Sequence, residues 1–203
     1  MKLGRHEHYF VKKPLSKKKE YSFTANVFGV PLNFVTAAGI FSPRKIDLGT
    51  LVLVRYMRLA SNQKVLDFGC GYGAVGVMVA KTCPTCRVTM VDINERAVES
   101  SKKNIRLNNV SNASAKQSFF YSGLKDETFD TILSNPPVSA GLEDCYRIIE
   151  GARDHLIPGG TLQIVSRHQK GGKRLMDKMR EVFGNVEVLA KKSGYWIYSS
   201  TNL

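Results

Sequence analysis

The chain has 203 residues, 43% hydrophobic and 23% charged, with 30 Lys and Arg against 17 Asp and Glu for a formal net charge of +13. That length suits one domain with a real core and calls for no second catalytic domain. No apolar run approaches the ~20 residues of a bilayer span, and the Lys-rich N-terminus lacks the apolar stretch of a secretory signal, so a cytoplasmic protein without membrane attachment is expected.

Residues 1–20 hold seven basic and two acidic residues, with Pro14 among them, and read as a basic, weakly ordered arm ahead of a domain over 21–203. Tyr21 to Phe28 and Leu32 to Thr36 read as two short strands around Gly29-Val30-Pro31. A helix is expected from about Asp47 to Ala60, with Leu51, Val52, Val54 and Leu59 on or near one face.

From Lys64 onward, strands and helices alternate. Strands are predicted at Lys64 to Phe68, Arg87 to Val91, Asn112 to Ser118, Phe129 to Ser134 and Gly160 to Ser166. Helices are predicted near Ala74 to Thr82, Glu95 to Asn108, Leu142 to His155 and Gly172 to Phe183. This alternation implies an α/β fold, a parallel sheet with helices on both faces. Asn185 to Lys192 and Tyr195 to Thr201 depart from it: only Ser193-Gly194 joins them, which permits only an antiparallel hairpin. Residues 167–192 carry eight basic and three acidic residues; with the N-terminal arm they account for 10 of the 13 surplus charges. A field of that sign draws in polyanions, nucleic acid above all, although a solubility surface or a thermophile's exterior reads the same way.

Val65 to Gly76 reads as a strand, a glycine-rich turn and a helix start, and Gly71-Tyr72-Gly73-Ala74-Val75-Gly76 fits the dinucleotide pattern G-x-G-x-x-G. Asp67, two residues before Gly69, separates two readings of that turn. A dinucleotide pyrophosphate disfavours an anion beside the helix amides, whereas S-adenosylmethionine (SAM) has no phosphate and carries an ammonium that a carboxylate satisfies. The candidate cofactor residues are therefore Asp67, Gly69, Cys70 and Gly71 in the loop, with Asp92 and Ile93 closing the next strand, where a carboxylate can take both ribose hydroxyls. The third strand end offers Ser118 and Phe119 as candidates for adenine.

Phe129 to Ser134 runs directly into Asn135-Pro136-Pro137-Val138. The prolines stiffen the chain and pin Asn135 at the mouth of the sheet. Its side-chain carbonyl and a nearby backbone carbonyl can accept from a planar NH₂ group and stabilise charge developing on it during methyl transfer, with no strong general base required. Asn135, Pro136 and Pro137 are thus the candidate catalytic residues, and Asn135 is a candidate cofactor contact as well.

Together these motifs resemble class I SAM-dependent methyltransferases that modify exocyclic or amide nitrogens, and within them the small-subunit ribosomal RNA guanine-N2 methyltransferase (methyltransferase C-like) group and its compact archaeal relatives. Besides Asp67-Phe68-Gly69-Cys70-Gly71-Tyr72-Gly73 and Asn135-Pro136-Pro137, the stretch Gly39 to Thr50 is similar to that group's G-[VI]-F-S-x-x-x-[LIV]-D-x-G-[TS] pattern. The resemblance spans about residues 21 to 201 and implies a Rossmann-like, mostly parallel seven-stranded sheet. It implies that Phe41, Asp47, Gly49 and Thr50 help enclose SAM and the target base, Thr50 on the cofactor and Phe41 with Val138 on the substrate. It also implies ribosomal RNA or a small-subunit particle as partner. Val138 replaces an aromatic often found there, so stacking is expected from Phe41, Phe119 or Tyr121.

Adenine N6 and a glutamine side-chain amide suit the same acceptors, as in release-factor methyltransferases. An NAD-type oxidoreductase and a non-catalytic RNA-binding assembly factor are the readings of another class. No metal site is expected. Cys83 and Cys86 read as ordinary thiols, with a local disulfide or an incomplete metal clip as alternatives. His155 and His168 read as helix-end and loop histidines, and Trp196 and Tyr198 as core or sheet surface.

Overall fold

A computed structural model describes residues 19–203, the Ala140 side chain apart; most of the basic arm lies outside the described residues. The described chain opens with an antiparallel hairpin, β1 (Glu20–Val27) and β2 (Val30–Ala37), turning at Phe28-Gly29. Pro31 lies inside β2, although the sequence reading put it in the turn. It is tolerated there because it shares parity with Asn33 and Val35, whose N–H groups point away from β1.

Those outward groups are satisfied by a helix. Asn104 on α3 (Glu95–Leu107) accepts from Val35 N at 2.7 Å and donates to Val35 O at 2.9 Å. Asn108, just past the helix end, repeats the pattern with Asn33 at 2.9 and 2.7 Å. Two amides one helical turn apart thus replace a neighbouring strand and close an edge that would otherwise present unpaired backbone.

Helix α1 (Leu48–Tyr56) starts after Asp47, its N-cap, and ends four residues before the expected Ala60. The fully buried Gln163 side chain takes over the backbone there, accepting from Arg58 N at 2.9 Å and donating to Arg58 O at 2.7 Å. The remaining elements are β3 (Lys64–Phe68), α2 (Ala74–Thr82), β4 (Arg87–Asp92), β5 (Ala113–Gln117), β6 (Phe129–Ser134), α4 (Leu142–Asp154), β7 (Leu156–Arg167), α5 (Gly172–Phe183), β8 (Glu187–Lys192) and β9 (Tyr195–Thr201). β7 begins before the predicted Gly160, and a register shift opposite Phe129–Thr131 absorbs Pro158 and Gly159.

The main sheet has seven strands in the order β5-β4-β3-β6-β7-β9-β8. All run in one direction except β9, which pairs antiparallel with both β7 and β8. Chain order reverses between β3 and β6, so the carboxyl ends of these two strands flank the crevice where α/β sheets bind ligands. Two apolar cores flank the sheet: one under α1, α2, α3 and the hairpin, the other under α4 and α5. Cys83 and Cys86 are joined as a local disulfide after α2, a correction to the thiol expectation; the Cα atoms, 5.4 Å apart in the turn, allow the bond.

Candidate active site

A cavity of about 340 Å³ opens at that crevice, and the candidate residues from the sequence line it except Gly49, which packs against the Tyr195 ring, and Tyr121. Asp67, Gly69, Cys70 and Gly71 come from the β3–α2 turn, Asp92 and Ile93 from the end of β4, and Ser118 and Phe119 from the end of β5. Asn135, Pro136, Pro137 and Val138 follow β6, while Phe41 and Thr50 enter from the segment after the hairpin.

The glycine turn is shaped for close approach. Gly69, Gly71 and Gly73 have φ of 72°, 57° and 84°, and the Gly69 and Cys70 amides both donate to Val91 O. A Cβ on Gly76 would stand 2.4 Å from the Met90 side chain, which would have to move to admit any larger residue between α2 and β4. Gly73 caps α2 without a side chain, and buried Asp67 does the capping from a distance: its Oδ2 accepts from Gly76 N at 2.9 Å. Burial pushes the Asp67 carboxyl up to about 7, opposed by the Gly76 hydrogen bond and assisted by the charge of Asp92.

Asp92 accepts from Asn94 N through Oδ1 at 2.8 Å and from Gly71 N through Oδ2 at 2.9 Å. Burial raises it to about 6 against its backbone hydrogen bonds. With Ile93 N as a third backbone donor, the carboxylate still keeps an acceptor position for a ligand hydroxyl. At the next strand end, the Ser118 hydroxyl is already engaged, donating to Phe120 O at 2.5 Å and accepting from Gly123 N at 3.0 Å, so it clasps its own turn. The Phe119 ring is 59% exposed at the cavity and offers a flat apolar face.

The acceptor end is built around Asn135. Its Nδ2 donates to Asp47 Oδ2 and Thr50 Oγ1, both at 3.1 Å, which fixes the amide with its carbonyl directed away from α1. The same Asp47 oxygen caps α1, accepting from Gly49 N at 2.8 Å. Val138 N donates to Pro136 O at 2.9 Å, and Pro137 at φ −78°, ψ 70° is the centre of an inverse γ-turn. The prolines therefore hold a tight turn directly after the amide.

Val138 does not need to be aromatic in this packing. A Cβ on Gly171 would lie 2.5 Å from Val138 Cγ1, so this position supports the start of α5. Tyr121, named as a stacking candidate, is buried: its hydroxyl donates to Ile148 O at 2.7 Å and its ring stacks on His155. That leaves Phe41, 46% exposed, and Phe119 as the exposed aromatic rings lining the cavity.

Sequence reasoning missed Asn94, Arg167, Lys170 and Tyr195, which also line the cavity. Asn94 caps α3 and donates to Gly39 O, tying the Phe41 segment to β4. Arg167 and Lys170 follow the end of β7, a strand-end position of the same kind that exposed Asn135, and that was the available signal.

The donor set suits SAM: two carboxylates and glycine backbone at one end, apolar walls, and a polar amide at the other. The fold and this site define a Rossmann-like class I SAM-dependent methyltransferase. Comparison with known proteins narrows the class. The chain belongs to the methyltransferase small domain family, whose model matches residues 31–199. It is 34% identical over 193 residues to the uncharacterized protein YbxB of Bacillus subtilis (strain 168), covering 94% of this chain and 96% of that one. It is 34% identical over 175 residues to ribosomal RNA small subunit methyltransferase C of Haemophilus influenzae (strain PittGG), covering 84% of this chain and 52% of that one. Among solved structures, a T. thermophilus 16S rRNA N2-guanine methyltransferase (RsmC) in complex with AdoMet and guanosine superposes with a TM-score of 0.80 at 27% identity, over 94% of this chain and 52% of that one. The chain thus spans about half the length of the ribosomal RNA methyltransferases it matches. Among the described residues no helix is long and apolar enough to cross a membrane.

Proposed function

We propose that the chain transfers a methyl group from SAM to the exocyclic N2 amine of a guanine in RNA, with small-subunit ribosomal RNA in the cytoplasm as the substrate. The observation that carries this reading is the Asn135 amide, whose NH₂ is held by Asp47 and Thr50. Its carbonyl is the acceptor left for an incoming planar amine.

SAM, when bound, supplies an electrophilic methyl on a sulfonium. Asp92 would hold its ribose, and the oxygen of Asp67 not bonded to Gly76 N would be the acceptor for its ammonium. Asn135 Oδ1 would orient the target amine by accepting one N–H and would stabilise the positive charge that grows on its nitrogen as the methyl leaves the sulfur, which departs as the neutral thioether. The alkylated amine then loses a proton readily, so no strongly basic side chain is required. Pro136 and Pro137 keep the acceptor from relaxing as the charge develops. The described domain from residue 21 carries the chemistry, and the basic arm of residues 1–20 adds to the grip on RNA.

The surplus of positive charge and the likeness to RsmC support RNA over protein. The test is transfer of radiolabelled methyl from SAM to ribosomal RNA, small subunits, transfer RNA and release factor, followed by nucleoside analysis. Label in N2-methylguanosine that vanishes with Asn135→Ala is the expected result. Label in N6-methyladenosine, or in protein alone, would overturn the guanine reading and leave the cofactor assignment standing.

A further inference from the structure

The basic stretch 167–192 is not uniformly available to a polyanion. All three of its acids are engaged: Asp177 with Arg180 at 3.3 Å, Glu181 with Lys178 at 2.8 Å and Glu187 with Arg58 at 2.6 Å. Lys178 also meets Glu150 at 2.7 Å. The outer part of α5 is therefore self-neutralised. Arg167, Lys170, Lys173, Arg174, Lys191 and Lys192 remain, all exposed and outside the salt bridges of the described residues, although Arg167 bonds Tyr195 and feels the more distant charge of Asp47.

The topology gathers these six at one edge. β7 runs parallel to β6, so Arg167 stands at the same end of the sheet as Asn135. The β8–β9 turn comes to that end too: Lys192 and Arg167 both pair with Tyr195, and His168 N donates to Gly194 O. α5 begins there as well, since Gly171 abuts Val138 beside the Asn-Pro-Pro turn. Its first turn carries Lys173 and no acid, which adds cationic charge at the positive end of the helix. Aromatic faces are interleaved with the cations: Arg167 lies over Tyr195 at 4.8 Å and Lys191 over Trp196 at 4.1 Å.

Resting on the RNA reading above, we infer that this edge is the docking track for the single-stranded RNA flanking the target nucleotide. Its phosphates contact Arg167, Lys170, Lys173, Arg174, Lys191 and Lys192 while the base enters the cavity. A single strand suits the site because the acceptor lies inside a cavity that a base reaches only when it is out of its stack, and an unpaired base leaves its stack at the least cost. The catalytic domain then carries its own RNA grip, continuous with its active site.

The probe is a fluorescein-labelled single-stranded RNA of about 16 nucleotides, followed by anisotropy across a salt series. Lys191→Gln/Lys192→Gln is the first variant, since neither residue lines the cavity, and Lys173→Gln/Arg174→Gln is the second. Each pair is expected to flatten the log–log salt slope by about 1.4, from about 0.7 per phosphate contact, and to weaken binding about tenfold at low salt. SAM binding and the thermal midpoint report folding and are expected to stay as in the wild type. Wild-type RNA binding with unchanged slopes in both variants would overturn the track and leave the RNA reading intact. A wild-type chain that binds SAM but no RNA would overturn both.

Discussion

Asp47 Oδ2 accepts at once from the Gly49 amide at the start of α1 and, at 3.1 Å, from the side-chain amide of Asn135, 88 residues away. One oxygen thereby couples a helix cap to the orientation of the proposed catalytic acceptor. Asp47→Ala should lower kcat by about 10- to 100-fold through misorientation of Asn135 while leaving KM for SAM nearly unchanged. It should also cost about 1 kcal/mol of stability from the lost cap. Asp47→Asn keeps an oxygen for both donors and should restore most of kcat. Steady-state kinetics alongside thermal melts separate the two effects; a loss of stability with normal kcat would show that Asp47 only caps the helix.

The raised carboxyls predict how the cofactor site responds to pH. Asp67 at about 7 and Asp92 at about 6 hold protons more tightly when folded than when unfolded, where both sit near 3.8. Their contribution to stability without ligand is therefore fully present below about 4 and is lost as pH rises to about 7. Cofactor binding has the opposite sign, because an ammonium and ribose hydroxyls want the ionised acids. The affinity for S-adenosylhomocysteine should rise from pH 5.5 to 7.5 and then level off. Asp67→Asn should remove the upper part of that rise in a calorimetric titration, and a flat profile in the wild type would rule out the proposed contacts.

Asn104 makes three hydrogen bonds that join α3 to the hairpin and the glycine turn: two to Val35 and one from Nδ2 to Tyr72 O at 2.8 Å. The Tyr72 ring also packs on Phe23 and Phe34 of the hairpin. Asn104→Leu leaves the Val35 backbone and the Tyr72 carbonyl without partners, which should cost about 2–4 kcal/mol in denaturant unfolding. Because the turn loses an anchor, SAM affinity should fall as well. Asn108→Leu should cost stability but leave SAM affinity in place, since it bonds Asn33 and Asn104 and not the turn.

The central sheet was legible in the sequence because its strands and helices are local events with their own apolar periods. Asp67, Asp92 and Asn135 could be placed for the same reason: each ends a strand, and parallel strands bring their carboxyl ends together. What was not legible depends on partners far along the chain. Nothing near residue 104 announces that its amide stands in for a strand beside Val35, and nothing near Arg58 announces that Gln163 will end α1. Arg167 and Lys170 were counted only as charge, because their approach to Asn135 follows from strand order and not from spacing. Spacing alone does not decide between a Cys83–Cys86 bond and free thiols, because it cannot report the distance between the two sulfurs.

The two exposed rings at the cavity should divide cofactor from substrate. Phe119 follows β5, beside the Asp92 end, and Phe41 precedes Asp47 and Thr50, which hold Asn135. Phe119→Ala is thus expected to raise KM for SAM by about tenfold with little effect on KM for RNA, and Phe41→Ala is expected to do the reverse; both sizes correspond to a stacking contact of about 1–3 kcal/mol. Both rings are solvent-exposed, so neither change should lower the thermal midpoint appreciably. If Phe41→Ala raised KM for SAM and left KM for RNA unchanged, the ring would belong to the cofactor pocket, and Val138 with Arg167 would be left to bind the base.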